Sequence, residues 1–232
     1  MWEDAEAGYR LRLLESLPHD PQARMLDVGC DDGEWTSVVA ERVGVAPSRV
    51  SGIEIVGERR RLAEARGYEV RAADLDGRWP FDDESFDLVH ANQVIEHVHG
   101  LDHFVSEMKR VLVVGGRAVI CTENLASWHN VGALVAGWMP FSLTNISEKG
   151  TVGNPYSLHL GAQPAHTSSW QHTRVLSMKG LKGILMMHGL EVTASFASGY
   201  YPAFGRLGGA LSRRDPHHAH FIGVVATRRD RG

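Results

Sequence analysis

The chain opens on helical periodicity. Tyr9, Leu13, Leu14 and Leu17 recur at helical spacing within residues 3–17, and Pro18 ends the pattern. The next apolar stretch, 24–28, is short and continuous, which reads as a strand buried on both faces. Thereafter the two patterns take turns. Helical spacing at 34–43 precedes a strand at 50–55, a charged helix at 58–66 ending at Gly67, and a strand at 68–73. Turn-rich sequence from Asp76 to Ser85 leads into a fourth strand at 86–90. A helix over 101–112 carries Leu101, Phe104, Val105, Met108 and Val111 on one face. It is expected to end at Gly115-Gly116, before a fifth strand at 117–121. This β-α-β-α rhythm predicts an α/β fold with a mostly parallel sheet and helices on both faces.

The rhythm fails at 123–172, which is rich in Trp, His, Asn, Ser, Gly and Pro. It resumes with a helix at 177–188 and strands at 190–197 and 219–227. An irregular stretch of that length, set directly after a central strand end, is expected to form a lid over a second substrate. Its apolar segment, 128–139, has three readings: a lid helix, a homodimer contact or a membrane-surface element. The polar face has few Lys or Arg, which weakens the membrane reading and leaves the lid ahead.

Composition narrows the function classes. The 232 residues, 43% hydrophobic and 22% charged, fit one soluble domain with a sizeable core. A net charge of −4 lacks the basic footprint of a nucleic-acid binder. The basic residues Arg213, Arg214, Arg228, Arg229 and Arg231 read as a solvated tail. Cys30 and Cys121 both adjoin strands, so reduced thiols in a cytoplasmic protein are expected rather than a disulfide. The amino terminus lacks the pattern of a signal peptide, and no run has the length of a transmembrane segment.

The first three strand ends carry the chemistry. Residues 25–33 run from an apolar strand into a turn where Gly29 and Gly33 let a ligand approach the backbone. Glu54, roughly twenty residues on at the second strand end, is placed to accept from both hydroxyls of a ribose. Asp74, at the third, can accept from an adenine amine while the Leu75 amide meets a ring nitrogen. Each acid alone is as well explained by a solvated loop; a glycine turn and two acids at three successive strand ends describe an adenosine slot. A dinucleotide fits poorly. The turn lacks the middle glycine of the pyrophosphate fingerprint, and Asp31 and Asp32 would repel that anion. A ligand bearing positive charge is favoured.

As a set, Leu26-Asp27-Val28-Gly29-Cys30-Asp31-Asp32-Gly33, Gly52-Ile53-Glu54, Ala73-Asp74-Leu75, residues 80–89 and Gln93-Val94-Ile95-Glu96-His97-Val98 resemble a class I S-adenosylmethionine-dependent methyltransferase of the small-molecule type. The resemblance covers roughly residues 20–125. It implies a Rossmann-like seven-stranded sheet with the last strand antiparallel and S-adenosylmethionine as cofactor. It also implies that Asp27, Gly29, Cys30 and Gly33 form the methionine end of the site. Glu54 would take the ribose, Asp74 and Leu75 the adenine, Ile55 would also line the cofactor site, and the backbone around Asn92 would close over the methionine. Asp31 stands where the family usually has a second glycine.

Methyl transfer from a sulfonium is an in-line displacement in which a base is optional. His97 and His172 are the candidate bases, against packing or capping roles for both. The acceptor expected is a small molecule, a glycan or a lipid-linked compound, methylated at oxygen. The alternatives are N-, S- or C-methylation, or a non-catalytic cofactor- or partner-binding module. Thirteen histidines raise the question of a metal. Neither His97, His99 and His103 nor His159, His166 and His172 has recognised ligand spacing, so none is expected.

Overall fold

Among the described residues, seven strands and seven α-helices largely alternate. The computed structural model describes residues 2–147, 149–157, 171–203 and 205–230, without the side chains of 2–5. The strands are β1 (Met25–Val28), β2 (Val50–Ile53), β3 (Glu69–Arg71), β4 (Phe86–Asn92), β5 (Leu112–Glu123), β6 (Leu190–Ser198) and β7 (Phe221–Arg228). They form one sheet in the order β3-β2-β1-β4-β5-β7-β6. All pairings from β3 to β5 are parallel, and β7 runs antiparallel to both β5 and β6. The expected sheet is thus observed, antiparallel last strand included.

Helices α1 (Trp2–Ser16), α2 (Glu34–Val43), α3 (Gly57–Glu64), α4 (Leu101–Val111), α5 (Trp128–Val135), α6 (Met178–Met187) and α7 (Gly205–Arg214) complete the fold. Two apolar layers form. Phe104, Val105 and Met108 of α4 join Leu181 and Leu185 of α6 in one, with Leu26, Val89 and Ile120. Leu13 of α1 and Leu17 just beyond it join Val39 and Val43 of α2 in the other, with Met25, Leu88 and Val119. Adjacent residues of one strand go to opposite layers, as a central strand buried on both faces must.

Three boundaries differ from expectation. Gly115 and Gly116 lie inside β5 rather than at the end of a helix. Phe86 pairs with Leu112 but Leu88 with Arg117, and the extra residues form a bulge where Gly115 adopts φ 83°. Helix α5 stops at Val135, four residues early, with Gly137 at φ 77° just beyond. Helix α7 was not anticipated because Gly205, Gly208 and Gly209 mask its helical signal. Arg213 and Arg214 are exposed, but in its last turn rather than in a tail.

Registry fixes where ligands can meet. Val28 is level with Ile53 and Ala91, and Asn92 with Cys121. Phe221 is level with Glu123 and with Ser198. The loops after β1, β2, β4 and β5 therefore share one edge with the loop before β7. The segment after β5 is pinned at its base, where the Leu125 amide donates to the Leu176 carbonyl at 3.1 Å.

Candidate functional site

The turn after β1 is held open by backbone conformation. Gly29, Asp31 and Gly33 have φ of 70°, 49° and 76°. Gly29 and Cys30 both donate to the Ile53 carbonyl, at 2.9 and 3.1 Å, so the turn hugs the end of β2. A side chain on Gly29 would put Cβ 2.7 Å from Val94 Cγ2. Asp31 holds a left-handed angle without glycine, which Asp tolerates better than most residues.

Glu54 ties this turn to its own loop. One oxygen accepts from the Asp31 amide at 3.1 Å and the other from the Val56 amide at 2.7 Å. Burial nevertheless pushes its carboxyl above the ordinary range, the two amides opposing. A carboxylate offers about four acceptor positions, so two remain for hydroxyls. Ile55 beside it is 57% exposed, a free apolar surface at the slot. Asp74 is exposed and accepts from the Asp76 amide at 2.9 Å, while Leu75 packs against the core.

Two expected contacts change character. Asp27 is 3% exposed, and both its oxygens are occupied, by Thr36 Oγ1 at 2.5 Å and His90 Nδ1 at 2.7 Å. Its carboxylate therefore links β1 to α2 and β4 and does not face a ligand. The Cys30 thiol is also buried, toward Gly52, and burial with the nearby acids raises its pKa. Only its backbone meets the turn. The two acids of the turn are also less repulsive than their sequence implies, because Arg59 of α3 stands 3.3 Å from both Asp31 and Asp32.

The neighbouring strand end supplies a second, buried cluster. Asn92 donates to the Tyr9 hydroxyl at 3.3 Å, and its Oδ1 is buried without a partner among the described residues. Glu96 is 1% exposed; one oxygen accepts from Thr122 Oγ1 at 2.9 Å and the other has no partner among the described residues. Burial, with Glu123 nearby, moves its carboxyl up to about 8. His97 and His172, distant in sequence, stack edge to face with ring centres 4.9 Å apart. Burial and His172 push His97 down to about 4. Thr173 locks the arrangement, its amide and hydroxyl donating to the Glu96 carbonyl and its hydroxyl also to the Val98 carbonyl.

Both candidate bases thus come together, at the edge that carries Gly29 and Glu54. Glu96, Thr122, Glu123 and Tyr9 were not singled out from sequence. Only Glu96 had a signal, adjacency to His97, and that reads equally as a cap. His159 and His166 lie outside the described residues.

Next to this cluster, His220 Nδ1 and His129 Nε2 are 3.1 Å apart. Burial pushes His129 down to about 4 and His220 well below its usual range. Folded pKa values below the unfolded value mean that the unfolded chain binds more protons between about pH 4 and 6.5. The contribution is present above pH 6.5 and lost on acidification, by up to about 1.4 kcal/mol per pH unit for each histidine. Urea titrations from pH 7 to 5 should show this fall, and His129→Gln should lessen it by about one proton's worth.

Comparison with known proteins agrees with this geometry. Residues 26–120 match the family described as methyltransferase domain. The mitochondrial ubiquinone biosynthesis O-methyltransferase of Rattus norvegicus is 28% identical over 207 residues, covering 83% of this chain and 53% of that protein. The 27-O-demethylrifamycin SV methyltransferase of Amycolatopsis mediterranei is 33% identical over 136 residues, 51% of this chain and 48% of that one. The chain spans about half the length, or less, of the curated relatives it matches. Among solved structures, an S-adenosylmethionine-dependent methyltransferase from Mesorhizobium loti superposes with TM-score 0.62 at 18% identity, over 95% of this chain and 98% of that one. The geranyl diphosphate C-methyltransferase of Streptomyces coelicolor gives 0.60 at 18% identity, over 96% and 79%.

Proposed function

We propose that this chain, which carries a class I S-adenosylmethionine-dependent methyltransferase domain, methylates a small-molecule, glycan or lipid-linked acceptor at oxygen. The donor would lie along the first three strand ends. Glu54 would take the ribose hydroxyls, Ile55 and the Leu75 amide the adenine, and Asp74 its exocyclic amine. The Asn92 Oδ1, buried and unsatisfied, is an acceptor suited to the methionine ammonium. Asp27 acts as a positioning residue that holds the turn through Thr36 and His90.

The observation that carries the oxygen reading is the paired histidine site. His97 and His172 each engage a backbone carbonyl through Nδ1, at 3.0 and 2.6 Å. A carbonyl only accepts, so each neutral ring donates from Nδ1 and keeps its lone pair on Nε2. Two such lone pairs beside the donor suit a hydroxyl acceptor that must lose its proton. Residues 123–172 would cover that acceptor, with α5 as the lid helix. The ubiquinone biosynthesis relative is an O-methyltransferase by name, and the Amycolatopsis relative is named for a 27-O-demethyl substrate, which supports the same atom.

The test is transfer from methyl-labelled S-adenosylmethionine to a panel of hydroxyl, amine, thiol and carbon acceptors, with the product bond assigned by NMR. Methoxy products, and a 10-fold or larger fall in transfer with cofactor affinity unchanged in His172→Gln, are expected. Methylation at nitrogen, sulfur or carbon alone would overturn the oxygen assignment. Cofactor binding without transfer to any acceptor would favour a binding module.

A further inference from the structure

We propose that Glu96, His97 and His172 bind one divalent transition-metal ion, zinc being the best match to the donors. One potential ligand atom from each lies within 4.8 Å of the other two. Ligands on a tetrahedral zinc, at about 2.0–2.1 Å, stand roughly 3.3 Å apart, so small side-chain rotations would close the site. No such ion was expected from sequence. The paper groupings used His97 and His172 separately, whereas the fold brings them together and adds an acid from the adjacent position.

Three further observations point to a cation rather than to a hydrogen-bonded cluster. First, the Nδ1 groups of both histidines are held by backbone carbonyls, of Gln171 and Ser142. Metal-ligating histidines are oriented in this way, with the second nitrogen left to the metal. Second, Glu96 Oε1 is buried with no partner, although Thr122 fixes the other oxygen and so the orientation of the carboxylate. Third, the Oε2 of nearby Glu123 is likewise buried and unpartnered. Neither acid has an ion-pair partner among the described residues, and ionising either at this depth is costly unless a cation such as a divalent ion compensates it.

Two imidazoles and one carboxylate make a borderline-soft donor set with an open fourth position. Magnesium and calcium, which prefer oxygen, fit it poorly. The site's role, though not its existence, rests on the oxygen-methylation reading. With both Nε2 atoms on the ion, the metal would replace the free imidazole base of the oxygen reading: the acceptor hydroxyl would take the open position and its proton would pass to water. Its oxygen would then bond to the methyl carbon as the carbon–sulfur bond breaks, the electron pair going to sulfur.

The experiment titrates metal-stripped protein with Co²⁺, reading visible absorption and stoichiometry, with Zn²⁺ as competitor. One equivalent with tetrahedral-type bands, displaced by Zn²⁺, is expected. Affinity should fall at least 10-fold in His172→Gln and in Glu96→Gln, and be kept in His99→Gln, an exposed control. Thermal melts and cofactor titration confirm that each variant is folded; His97→Gln replaces any that is not. Absence of stoichiometric binding, or binding that survives both ligand substitutions, overturns the site. Metal binding with no effect of chelation on methyl transfer overturns only its role. Loss of cofactor binding in the native protein would instead count against the methyltransferase reading.

Discussion

Glu54→Ala is expected to weaken S-adenosylmethionine binding by about 100-fold or more, read by isothermal titration. Two effects combine. The ribose hydroxyls lose a charged acceptor, and hydrogen bonds to charged groups contribute about 1.5–3 kcal/mol each. The Asp31 and Val56 amides, now held at 3.1 and 2.7 Å, also lose their partner, so the turn loosens where the cofactor must lie. Glu54→Gln should restore little, since its amide group turns a donor toward one of those two donors. Binding within threefold of the native protein in both variants would remove Glu54 from the cofactor site.

Gly29→Ala should be the most damaging single methyl addition at this site. The backbone there has φ 70°, where a side chain costs about 1–2 kcal/mol. The new Cβ would lie 2.7 Å from Val94 Cγ2, and overpacking of that kind costs about 1–3 kcal/mol. Together these predict a loss of about 2–5 kcal/mol, or a fall in Tm of roughly 5–15 °C for a domain of this size. Cofactor binding should fall as well, because the turn can relieve the clash only by leaving the Ile53 carbonyl. A melting point within 2 °C of native would contradict the strain argument.

Local signals made the cofactor half of the molecule legible. Buried strands declare themselves as short apolar runs, and the glycines and acids that follow them are adjacent in sequence to the strands that place them. Gly29, Glu54 and Asp74 could therefore be placed just beyond strand ends without coordinates. Asp27 shows the limit: its position at a strand end was right, but the partners that occupy it, Thr36 and His90, are set by tertiary packing. The buried cluster proposed to face the acceptor depends on contacts between distant segments. His97 meets His172 only because Thr173 fastens one segment to the other. No periodicity records that. Helix α7 escaped for a different reason, since glycines within it weaken the pattern by which helices are read.

The bond between the Leu125 amide and the Leu176 carbonyl has an evolutionary consequence. It closes a neck, so the stretch between those two residues, apart from Trp128, His172 and Thr173 with their contacts to the rest of the fold, can lengthen, shorten or change sequence with β5 and α6 held in place. Closing a loop twice as long costs only about 0.6 kcal/mol more. The stretch is in effect a cassette. Exchanging it between homologues at residues 125 and 176 should transplant acceptor preference onto an unchanged donor site, which makes chimeras the natural way to retarget this scaffold.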